Sequence, residues 1–229
     1  MEQNEIKACG TASYADMQLA ARAGVDAAGI IWHPGEQRGA TVGSSYAIAL
    51  SESAPEDLDV VLLPRVTDEL SISAMCRRMR PDRLQLGEKE DLKLLKALRS
   101  MLDIPIAQVI HVGTDEAAVE QAERFLYFAD IIHIDTAGDR PGGTGQTHDL
   151  SISKEIVKLA HDAGKPAIIA GGLTAEYVVE AINTTKPDGV DVQTYIKDGF
   201  GHHDPGKLNL FVQTARTAFS AMRSMEQAA

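Results

Sequence analysis

The sequence predicts an α/β protein, a (β/α)8 TIM barrel forming a single domain over residues 1–229, and three observations carry that expectation. Short β-branched runs alternate strictly with longer segments of helical period, eight such pairs fit into 229 residues, and no two strand-like runs are joined by a hairpin signal. Alternation without hairpins implies a parallel sheet, because parallel neighbours need a crossover that a helix supplies. Eight units at this length suit a closed barrel better than an open doubly wound sheet, which is the alternative.

The first strand is EIKAC (5–9), followed by a helical stretch over 13–24. Strand-like runs follow at DAAGII (26–31), LDVVLL (58–63), RLQL (83–86), IPIAQV (104–109), DIIHID (130–135), PAIIA (166–170) and GVDVQ (189–193). The helical stretches after them span about 43–54, 67–80, 88–101, 114–128, 150–164, 174–185 and 205–222. Starts such as TDE, GTDEAA and GLTAEY bring capping oxygens and acidic first turns to helix N-termini, whose N–H groups otherwise lack partners. No Gly/Ser or Pro-rich linker and no low-complexity tract divides the chain, so one domain is expected. The closing SMEQAA is expected to fray.

A hydrophobic content of 44% is enough for a substantial core. The formal charge of −11, with no Lys/Arg strip to override it, argues against nucleic acid and anionic membranes as partners. The first residues, MEQNEIKACG, lack the basic start and apolar run of a signal peptide. No apolar segment approaches the roughly 20 residues that span a bilayer, so a cytoplasmic location is expected. Cys9 and Cys76 are too few for a disulfide framework and are read as free thiols. Cys76 lies within ISAMCRRM, where helix packing explains it. GHHD (201–204) has no third ligand at a recognisable spacing, so no metal is expected.

Side chains alternate faces along a strand, and in a barrel the apolar set packs against the helices. In the first strand that sends Ile6 and Ala8 outward and leaves Lys7 and Cys9 inside. By the same rule Arg83 and Gln85 turn in on the fourth strand, His133 and Asp135 on the sixth, and Asp191 and Gln193 on the eighth. Such an interior is unusually polar, because an unpaired buried charge costs several kcal/mol. Mutual pairing of Lys and Asp is the plain explanation. Convergence of several of these residues at the strands' C-terminal ends, where barrels of this type carry their active sites, favours a functional one.

Two glycine-rich loops add to the pattern. AGGLTAE (170–176) places Gly171 and Gly172 before a helix, where main-chain N–H groups and the helix dipole favour an anion such as phosphate. PGGTGQT (141–147), with Gly143, suits a lid or hinge, because glycine takes backbone angles other residues avoid.

Taken in order, KACG (7–10), AARAGVDAAGIIWHPGEQR (20–38), HIDTAGDRPGGTGQTHD (133–149), AGGLTAEYVVEAI (170–182) and GVDV (189–192) resemble the phosphoribosylanthranilate isomerase family of tryptophan biosynthesis, nearly end to end. The resemblance implies an Amadori rearrangement, turning an aminoaldose into an aminoketose without a cofactor, on a small phosphorylated sugar. It implies Asp135 as the general acid that protonates the ribose ring oxygen and Cys9 as the general base that takes the proton from the neighbouring sugar carbon. The chemistry fits those side chains. Burial can keep a carboxylic acid protonated, and a thiol near a cation, for which inward Lys7 is the candidate, becomes a useful thiolate. By the same resemblance Arg38 faces the anthranilate carboxylate and Asp191 orients the substrate amine. The substrate-binding set is then Lys7, Arg38, Gly143, Gly171, Gly172 and Asp191.

The chain also departs from the family. GVDVQTYIKDG puts Gln193, Thr194 and Tyr195 where the family has a Ser-Ser-Gly segment that helps hold phosphate. LQLGEKED lacks the family's His-Gly after Gln-Leu, HDL replaces Phe-Asp-Trp, and GEQRGA replaces a Ser-Pro-Arg setting. Two readings stay open beside a divergent isomerase: a paralogous barrel enzyme acting on another sugar or carbonyl compound, and a barrel that binds a small ligand without turnover. Oligomeric state is not legible.

Overall fold

The computed structural model describes residues 4–35, 39–87, 91–113, 117–136 and 150–227. Its strands are β1 (Glu5–Cys9), β2 (Ala27–Trp32), β3 (Thr41–Val42), β4 (Asp59–Pro64), β5 (Arg83–Leu86), β6 (Ile106–Val112), β7 (Ile131–Thr136), β8 (Ala167–Ile169) and β9 (Gly189–Val192). The helices are α1 (Tyr14–Ala23), α2 (Ser44–Glu52), α3 (Glu69–Met79), α4 (Leu92–Met101), α5 (Ala117–Leu126), α6 (Leu150–Asp162), α7 (Val178–Thr185) and α8 (Pro205–Gln227).

Every strand pairing is parallel. The order runs β1-β9-β8-β7-β6-β5-β4-β2, and β1 also pairs with β2, so eight strands close into a ring. The barrel expected from the alternation is therefore present, with one addition. The two-residue β3 hangs on β2 outside the ring, too short for a sequence pattern to reveal. Several boundaries also differ. α8 runs on to Gln227 where fraying was expected at the end of the chain. α7 starts at Val178, not at 174.

Helix starts follow the capping chemistry. Ser13 accepts the N–H of Asp16, Asp68 that of Ser71, and Asp91 those of Lys93 and Leu94. The outward set of each strand, including Ile6, Ala8, Leu84, Leu86, Ile132, Ile134, Val190 and Val192, joins the helices in one buried cluster. Cys76 lies in that cluster, as helix packing requires, and burial pushes its thiol up to about 12.

The N-terminal end of the ring carries a repeated device. Asp26, Asp82, Asp130 and Asp188 each stand one residue before or at the foot of alternate barrel strands β2, β5, β7 and β9. Each carboxylate accepts a main-chain N–H from the preceding barrel strand, from Ile6 at 2.6 Å, Val60 at 2.7 Å, Ile106 at 2.8 Å and Ala167 at 2.8 Å. Each aspartate also donates its own N–H to the carbonyl of that same residue. The reciprocal pair pins two strand ends together. Inside the ring at this level, Arg83 grips Glu5 through two bonds of 2.8 and 2.6 Å, and the two nearly dry side chains neutralise each other.

Candidate active site

The alternation that closes the barrel also stacks charged side chains along its axis. One layer above the Glu5–Arg83 pair, Lys7 on β1 faces Asp191 on β9, its register partner, with Nζ 2.6 Å from Oδ2. His133 on β7 brings Nε2 to 3.1 Å from the same oxygen. Burial works to raise the Asp191 pKa, but Lys7 and His133 outweigh it and hold the carboxyl down at about 2. Asp191 is thus an anion at neutral pH. Its other oxygen, Oδ1, is buried with no hydrogen-bond partner among the described residues.

Above this layer the axis opens into a cavity of about 510 Å³. Cys9 at the end of β1 and Asp135 on β7 both line it, as do Asp191 and Gln85. Gly171, Gly172, Gln193, Thr194 and Tyr195 form another part of its wall. Of the inward residues read from strand periodicity, Cys9, Gln85, Asp135, Asp191 and Gln193 line this cavity, whereas Lys7 and His133 lie in the layer below it and Arg83 pairs with Glu5. Gly29, the register partner of Cys9 on β2, makes room for the thiol: a Cβ there would sit 2.9 Å from Cys9 Sγ, inside van der Waals contact.

Three expectations need correction. Lys7 does act on Cys9, by its charge and by a side-chain hydrogen bond, while its ammonium also pairs with Asp191, but it does not bring the thiol down to a ready thiolate. Burial raises the Cys9 pKa most strongly; Lys7 pulls it down, Asp191 pushes it up, and the thiol stays above its ordinary value. Asp135, expected to be buried, is only half-buried where it lines the cavity. Gly171 and Gly172, with φ of 82° and 63°, do reach the cavity, but Leu173–Tyr177 separate them from the first residue of α7, so they do not form its N-terminus. Arg38 and Gly143 lie outside the described residues.

The structure also adds residues. His111 and Arg65 line the cavity. His111 continues the inward set of β6, which extends to Val112, three residues beyond the expected end. Arg65 directly follows β4. The GHHD segment is held by Asp16, which accepts the main-chain N–H of His203 at 2.8 Å and faces Nδ1 of His202 at 3.1 Å. Among the described residues no three His, Cys, Asp or Glu side chains group as metal ligands.

Residues 6–214 match the family model of N-(5'-phosphoribosyl)anthranilate (PRA) isomerase. The chain belongs to that family. It is 31% identical over 224 residues to the N-(5'-phosphoribosyl)anthranilate isomerase 2 of Methanosarcina mazei, covering 96% of this chain and 97% of the relative. Its fold matches the phosphoribosylanthranilate isomerase of Thermotoga maritima with a TM-score of 0.81 at 23% identity, over 94% of this chain and all of the other. It also matches, with a TM-score of 0.76 at 21% identity over 94% and 100% of the two chains, an isomerase solved with reduced 1-(o-carboxyphenylamino)-1-deoxyribulose 5-phosphate.

Proposed function

We propose that this barrel is a phosphoribosylanthranilate isomerase of tryptophan biosynthesis, a single-domain enzyme in which Cys9 is the general base and Asp135 the general acid. The observation that carries the reading is that thiol and carboxyl open on one cavity at the C-terminal mouth of the ring, from β1 and β7. Family membership supplies the reaction class, and the complex of the fold relative supports a phosphorylated aminoketose as the kind of ligand.

The chemistry asks for two proton transfers and no redox partner. Asp135 gives a proton to the ribose ring oxygen, the C–O bond to the anomeric carbon breaks, and the amine nitrogen's lone pair forms the iminium. Cys9 then takes the proton from the adjacent carbon, the electrons neutralise the iminium as an enolamine, and tautomerisation gives the ketose. Each positioned acid or base can contribute on the order of 10²–10⁴-fold. The unpartnered Oδ1 of Asp191 is placed to accept the N–H of the substrate amine, which would otherwise leave that oxygen desolvated without compensation. Gly171, Gly172 and the side chains of Gln193 and Thr194 border the space for the phosphate, with Arg38 and Gly143 assigned to substrate by family resemblance.

A paralogous role on another sugar is favoured by one feature. Gln193-Thr194-Tyr195 replaces a smaller segment where phosphate is expected, and all three line the cavity. Turnover decides between them. Purified protein supplied with N-(5'-phosphoribosyl)anthranilate should form the aminoketose with saturation kinetics; a folded protein that binds but does not convert it would refute the isomerase assignment.

A further inference from the structure

We propose that Lys197, on the segment after β9, is a positioning residue that holds a positive charge beside Cys9 and so favours the thiolate that takes the substrate's proton; this rests on the general-base reading above. Lys197 Nζ donates to the carbonyl of Gly10, the residue after Cys9, at 2.6 Å. Its stem packs on the same peptide, since a Cβ on Gly10 would lie 3.4 Å from Lys197 Cε. The ammonium is thus fixed within one residue of the thiol by a main-chain oxygen.

The placement is built in. Lys197 N–H bonds to Thr194 O at 3.1 Å, Lys197 bridges His203 in antiparallel fashion, and its own carbonyl accepts Lys207 Nζ at 2.9 Å. Asp16 then ties the far end of the segment to α1 through the N–H of His203 and the ring of His202, while also accepting the N–H of Ala12 at 3.1 Å. A buried carboxylate on α1 therefore fixes the loop that carries the cation.

Several charges act on Cys9, and they do not act equally. From β1 and β9, Lys7 draws the Cys9 pKa down by charge and by a hydrogen bond, its 2.6 Å partner Asp191 pushes it up, and Lys197 adds to the downward pull. The His203 ring packs on the Cys9 main chain but is neutral at neutral pH, because burial and Lys197 push its pKa down to about 4. Asp135, Arg65 and His111 share the cavity with Cys9. Lys197 makes no ion pair with a carboxylate among the described residues, although Asp16 and Asp198 lie in its field. Burial pushes the Lys197 pKa down, while Asp16 and Cys9 draw it back up, so thiolate and ammonium stabilise each other. Lys197 thus adds a second cation to Lys7, whose pull on the thiol Asp191 opposes.

Alkylation by iodoacetamide across pH 7–11, in a Cys76→Ala background so that one thiol reports, measures the Cys9 pKa without turnover. Lys197→Gln keeps a donor for the Gly10 carbonyl and removes the charge; it should raise the midpoint by about one pH unit and slow alkylation near pH 7 about tenfold. The acid limb of kcat/KM should move by the same amount, whereas Lys197→Arg should hold both near the parent values. Melting temperatures confirm that each variant is folded. An unmoved midpoint in folded Lys197→Gln, or an equal shift in Lys197→Arg, would overturn the inference. Cys9→Ala separates the two ideas: if it still turns over, the general-base reading fails, while the alkylation midpoint judges the Lys197–Cys9 coupling by itself.

Discussion

The two ends of the barrel handle buried polarity in opposite ways. At the N-terminal end, Glu5 and Arg83 are joined by two short bonds, and four aspartates each close a reciprocal main-chain pair between neighbouring strands. At the C-terminal end, Asp191 Oδ1 is buried without a partner among the described residues, and the Cys9 thiol is buried against an open cavity. A buried group left unpaired costs about 1–3 kcal/mol, so such a cost persists where a ligand recovers it. One end secures the ring; the other is left incomplete for chemistry.

Breaking the secured end should give the largest change in stability. Arg83→Met leaves the Glu5 carboxylate buried without its cation and should cost about 3–5 kcal/mol in urea denaturation, with kcat per folded molecule little changed. A Glu5→Leu, Arg83→Met double variant should recover most of that loss, since an apolar pair of similar size need not desolvate charge. If Arg83→Met instead abolished turnover in a fully folded protein, the division between the ends would be wrong.

A pH series sharpens the comparison at the open end. Burial first, and then the Lys197 ammonium, push the His203 imidazole down to about 4, whereas an unfolded histidine titrates near 6.5. The unfolded chain therefore binds more protons between these values, and stability should rise with pH across that window and fall as pH drops through it. Asp191, held at about 2, titrates below the window and does not confuse it. His203→Gln should remove a dependence on the order of 1–3 kcal/mol between pH 7 and about 4.5, read from urea midpoints. An unchanged slope would mean that His203 is protonated in the folded protein.

The smallest effect belongs to a single clamp. Asp82→Ala removes one half-buried bond to the N–H of Val60 and leaves the bond from its own N–H to the Val60 carbonyl in place, so about 1 kcal/mol is expected, with no change in KM. A loss several times larger would show that the four clamps act as one unit.

Much of this arrangement was legible in the sequence because a strand repeats every two residues. Lys7 and Cys9, His133 and Asp135, and Arg83 and Gln85 stood at alternate positions between apolar neighbours, and that alone placed them inside. The same rule reaches His111 only when the strand is carried past Val109, where Ile110 and Val112 continue its outward face. The four clamps left a mark in VDAAG, PDRL, ADII and PDGV, an aspartate before alternate strands, but its meaning depends on which strand lies alongside. Lys197, His202 and His203 sit in a segment with no period, and only the fold brings them to Cys9 and Asp16. That Lys7 pairs with an inward aspartate was legible, but the choice of Asp191 over Asp135 is a matter of register, since 184 residues separate Lys7 from Asp191.

The shared cavity of Cys9 and Asp135 is the centre of the account, and kinetics of two substitutions on N-(5'-phosphoribosyl)anthranilate tests it most directly. Cys9→Ala and Asp135→Asn should each lower kcat by about 10²–10⁴-fold while melting within a few degrees of the parent. Either variant turning over within threefold of the parent enzyme would contradict it.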